Sequence, residues 1–132
     1  MKFMLMMHAT RGKGDWAVLD WPPADFKAHI EFMINFNKEL TEAGELAGAE
    51  GLAAPSETRV VRASKDGTPA VTDGPFPEAK EFLAGYWIVD CESAERAYAI
   101  AARASAAPGP GGAPLNMPIE VRQVMCAPPV EM

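Results

Sequence analysis

The sequence predicts an α+β fold, a ferredoxin-like sandwich in the order β-α-β, hairpin, β-α-β. Three observations carry this. Residues 24–43 and 94–106 repeat apolar positions at helical spacing. Short apolar runs precede and follow each of them. An Asp66-Gly67 pair sits between two alternating arms and marks a hairpin inserted at the centre.

The first strand spans residues 2–8, an apolar run that breaks at His8. Residues 9–21 form a loop with Gly12, Gly14 and Asp15, closed by Pro22 and Pro23, residues suited to a helix start. In the first helix Phe26, Ile30, Met33, Phe36 and Leu40 fall on one side, and Lys27, Glu31, Lys38 and Glu42 on the other. Gly44 caps it. Residues 45–52 are a Gly/Ala-rich strand that permits close backbone approach. Residues 58–64 and 68–72 are the hairpin arms. Asp73-Gly74-Pro75-Phe76-Pro77 is a rigid turn. Residues 81–90 are a buried strand, Ser93 caps the second helix, and residues 107–116 are a Pro/Gly loop. Residues 118–124 are the final strand. A Pro-rich tail, 125–132, is expected to be flexible.

With 132 residues, one domain is expected. The net charge of −6 argues against a general nucleic-acid binder and against an anionic membrane surface. The apolar start is too short to span a bilayer and lacks a signal-peptide layout. Cys91 and Cys126 stand alone, with neither a zinc spacing nor a disulfide framework, which suits a reducing cytoplasm.

Both parities of the main strands are apolar. Phe3, Leu5 and Met7 alternate with Met4 and Met6; Tyr86 and Ile88 alternate with Trp87 and Val89. Both sheet faces therefore favour burial, and two helices cover only one. A homodimer with sheet packed on sheet is expected. An apolar ligand or a loop over that face is the alternative.

The run Val71-Thr72-Asp73-Gly74-Pro75-Phe76-Pro77-Glu78-Ala79-Lys80-Glu81 resembles the DGPF-type branch of the YCII-related family. Residues 36–44, 46–52 and 119–124 fit the same pattern, so the likeness covers nearly the whole chain. The resemblance implies a dimeric α/β barrel, and in some members an association with sigma factors. It also implies a His–Asp catalytic pair, in which the Asp is Asp73 or a neighbour.

His29 and Asn37 fall inside the apolar sector of the first helix. Buried polar groups need partners, so these two mark either a satisfied core or a pocket. A neutral His29 can act as general base, with Asp73 as its orienting carboxylate. Asp73 alone equally suits a turn that binds its own backbone. Glu50, between Gly48-Ala49 and Gly51, sits where a ligand can approach the backbone. His8 ends a strand beside a loop, and Trp16 and Phe76 can wall a pocket. The expected cleft joins His29, Asp73 and Glu50, with His8 as a further member. Neither a phosphate-binding glycine loop nor a nucleophile elbow occurs, so no nucleotide or flavin cofactor is indicated. Two functions fit these residues: a cofactor-free acid–base enzyme for a small molecule, or a ligand-sensing or protein-docking module.

Overall fold

The computed structural model describes residues 1–10, 21–74 and 81–125. Four strands form one antiparallel sheet: β1 (Lys2–Thr10), β2 (Leu46–Gly51), β5 (Glu81–Asp90) and β6 (Ile119–Gln123). Their spatial order is β2-β5-β1-β6. With α1 (Pro23–Glu42) and α2 (Ala94–Ser105) as the two crossovers, this is a ferredoxin-like α+β arrangement. The hairpin β3 (Arg59–Ala63) and β4 (Pro69–Asp73) forms a separate two-stranded sheet.

Sequence explains the element ends. Pro23 opens α1, where a missing N–H costs nothing. Gly44, at φ 72°, ends it in a left-handed turn that a side chain would strain. Ser93 accepts the Arg96 N–H at 3.1 Å and caps α2. In the hairpin, Asp66 Oδ1 accepts both the N–H and the hydroxyl of Thr68. Those bonds hold its carboxyl below the usual carboxylate range.

Alternation along β1 and β5 sorts the sheet into two faces. Phe3, Leu5, Trp87 and Val89 are buried beneath Phe36 and Leu40 of α1 and Ala97, Ile100, Ala101 and Ala104 of α2. Phe36 meets Trp87 edge-on at 5.8 Å. α2 is anchored to the start of β2 by a two-point bond from Arg96 to Glu45, at 2.7 and 2.9 Å. Met4, Met6, Tyr86 and Ile88 lie on the other face, where they are half-buried. No helix among the described residues is long and apolar enough to cross a membrane.

Candidate functional site

The floor of the site is the stretch where β5 meets the end of β2. Gly51 pairs with Gly85, and Ala49 with Trp87. A register shift between Met7 and His8 adds Ala84 to β5 as an extra residue. Gly85 is required there: a Cβ would lie 2.9 Å from the Glu50 carbonyl oxygen and 3.4 Å from the Gly51 Cα. The small floor leaves space that α1 cannot fill.

The result is a cavity of about 490 Å³ between α1 and the sheet. Phe26, Ile30 and Met33 descend from the helix; Met7 and Trp87 rise from the sheet; Leu52 stands at the β2 end. Its polar side chains among the described residues are His29 and Asn37; Glu50 and Tyr86 border it along the strands, paired with each other on the opposite sheet face. Phe26, Ile30 and Leu52 are each about two-fifths exposed, which places apolar surface at the mouth.

His29 is buried, at 8% exposure. Its Nδ1 lies 3.0 Å from the Pro108 carbonyl oxygen. That oxygen only accepts, so Nδ1 carries the hydrogen. In the neutral ring Nε2 then presents a lone pair, and it has no protein partner among the described residues. Trp21 meets the ring edge-on at 5.4 Å. The loop that supplies Pro108 is braced from three sides. Gly109 N–H donates to Ala113 O, Leu115 N–H to Ala107 O, and Gly111 N–H to Asp25 of α1. Gly111 and Gly112, at φ 70° and 77°, make the turn that a side chain would strain.

Asn37, two turns further along α1, accepts the Trp87 indole N–H on Oδ1 at 2.8 Å. No buried side-chain nitrogen or oxygen among the described residues lacks a partner.

His29 and Glu50 thus border one cavity. Asp73 is held elsewhere. It ends β4, its carboxylate is almost fully exposed, and it lies 3.6 Å from Arg59 across the hairpin. The group that orients His29 is the Pro108 carbonyl and not a carboxylate, because the 107–116 loop packs on α1 while the hairpin forms its own sheet. His8 follows Met4 and Met6 on the face away from the helices, with Nε2 2.9 Å from Glu120. The expectations for Trp16, Phe76 and Cys126 lie outside the described residues. Among the described residues no group of three His, Cys, Asp or Glu side chains is arranged to hold a metal ion.

The sequence reading missed the Pro108 carbonyl, Met7 and Leu52 as site components. The spacing signal for Met7 was present, since it shares the parity of Leu5. A backbone carbonyl leaves no signal in residue types.

A family model for the YCII-related domain matches residues 1–112. The chain belongs to the YCII-related family. The match covers β1 through α2 and the start of the loop that holds Pro108. An uncharacterised protein of Rhizobium meliloti (strain 1021) is 33% identical over 93 residues, covering 70% of this chain and 74% of that protein.

Proposed function

We propose that this YCII-related chain binds a small, largely apolar molecule in the cavity beneath α1. The carrying observation is a space of about 490 Å³ with apolar walls and a buried His29 whose Nε2 has no partner among the described residues. Ligand sites combine this kind of apolar lining with a few fixed polar groups. A thermal-shift screen of metabolites tests the proposal. A specific ligand raises Tm with concentration in the native protein, and Met33→Trp, which fills the space, abolishes that rise. A screen in which wild type and the filled variant respond alike overturns it.

Acid–base catalysis is the second reading, and the tautomer of His29 favours it. A neutral imidazole fixed at Nδ1 can take a proton at Nε2. His29→Ala would then lower turnover far more than stability. Equal losses would leave binding as the function.

The same proposal includes a homodimer. Half-buried Met4, Met6, Tyr86 and Ile88 offer an apolar sheet face to a second copy, as in a dimeric α/β barrel. Ile88→Lys should give a folded monomer by light scattering, since an unpaired charge at such a contact is unfavourable. Wild-type protein that runs as a monomer at micromolar concentration ends this part. Assignment to the DGPF-type branch rests on the 71–81 run, and docking to a sigma factor rests on that likeness alone. A cytoplasmic setting agrees with Cys91 as a buried free thiol.

A further inference from the structure

We infer that the cavity takes a largely apolar molecule bearing a hydroxyl group at one end and a carbonyl at the other. His29 Nε2 accepts from the hydroxyl, and the Asn37 amide NH₂ donates to the carbonyl. This rests on the reading of the cavity as a ligand site, and adds the polarity pattern of the ligand.

Two fixed bonds set that pattern. The Pro108 carbonyl can only accept, so it holds the neutral His29 ring as the Nδ1–H tautomer and leaves a lone pair at Nε2. The Trp87 indole can only donate, so the atom of Asn37 facing it is Oδ1. The Asn37 NH₂ is thereby turned away from the indole, and its hydrogens have no acceptor among the described residues. Both residues line the cavity. Neither free group is a sealed, unsatisfied atom, so each remains reachable.

The two groups are also well separated. Eight residues of α1 at about 1.5 Å each set His29 and Asn37 about 12 Å apart along the axis. Between them the described lining includes the apolar side chains of Met33, Met7 and Trp87. One end accepts, the other donates, and the middle excludes water.

The test uses the intact protein and three probes that share one ring system: 6-acetyl-2-naphthol, its O-methyl ether, and 6-ethyl-2-naphthol. Binding is followed by titration calorimetry. Imidazole ¹⁵N spectra of ligand-free wild type, recorded at alkaline pH, should show His29 with hydrogen on Nδ1 and none on Nε2. The parent probe should bind about tenfold tighter than either analogue, each of which loses one hydrogen bond. His29→Phe should remove the preference for hydroxyl over ether and keep that for ketone over ethyl. Asn37→Leu should do the reverse. Equal binding of all three probes leaves the cavity as a ligand site and overturns the two-point pattern. No binding by any probe overturns the two-point pattern, and the metabolite screen against Met33→Trp decides the ligand site separately. The Nε2–H tautomer in the neutral ring overturns the pattern without any variant, so a failure of either variant to fold leaves it decidable.

Discussion

His29 and Phe36 stand two turns apart on α1, yet they meet different floors. Phe36 and Leu40 close onto Trp87, Val89 and Leu5, side chains large enough to fill the space, and both are about 1% exposed. His29 and Met33 stand over Gly85, Gly51, Ala49 and Ala84, and the space stays open. The apolar stripe of the helix reaches both ends, with His29 and Asn37 set into it. The difference lies in the strands: packing closes where the sheet supplies volume, and a cavity persists where it supplies none. α1 is therefore divided: Phe36 and Leu40 close the core, while His29 and Met33 roof the open space in which a ligand is proposed.

The sharpest way to break this division is to empty the closed end. Phe36→Ala should cost about 3–5 kcal/mol, as buried aromatic truncations do, and urea unfolding measures it. The reciprocal change fills the open end. Gly85→Ala puts a Cβ against the Glu50 carbonyl, so β2 or β5 must shift, at about 1–3 kcal/mol. Thermal unfolding checks the cost, and the titrations above should show weaker binding of the parent probe.

A smaller effect concerns the anchor at the closed end. The Arg96 guanidinium bonded to Glu45 holds that carboxyl below its usual value of 4.5. A depressed folded-state pKa gives stability that is complete above the unfolded value and is lost as pH falls through the folded value. The Glu45 contribution, about 1 kcal/mol for a partly exposed two-point pair, should thus be present at neutral pH and fade below pH 4.5. Glu45→Gln should lower stability at pH 7 and converge with wild type in acid. Parallel unfolding curves across that range would show that the pair contributes nothing.

The smallest effect is expected at the mouth. Ile30 is 39% exposed and already borders open space. Ile30→Ala should cost about 0.5 kcal/mol of stability, far less than Phe36→Ala on the same helix. A loss as large as that at Phe36 would mean the mouth is closed in solution, and the contrast between the two ends would fail.

Much of this was legible beforehand. Residues 81–90 form β5 as expected, and both helices lie within a residue or two of their predicted ends. Those elements have strong periodicity and clear punctuation: Pro23, Gly44 and Ser93. His29 and Asn37 stood out because polar residues interrupted an apolar sector, and each has its bonding partner in the fold. The expected pairing of His29 with Asp73 had no such local signal. It rested on residue types, and residue types do not say which loops meet. The hairpin carries Asp73 to Arg59, and the 107–116 loop reaches His29 instead.

The sequence by itself determined the order of elements, the apolar stripe of α1 and the two apolar faces of the sheet. These follow from local φ/ψ preferences and from periods of 3.6 and 2, which are written residue by residue. Only the tertiary structure decided that Gly51 faces Gly85, that the Pro108 carbonyl fixes the His29 tautomer, and that His8 lies on the opposite face. Each of these depends on strand register or loop docking between residues far apart in the chain. A one-residue slip in register turns a side chain to the other face, and strands that are apolar on both faces encode that choice weakly.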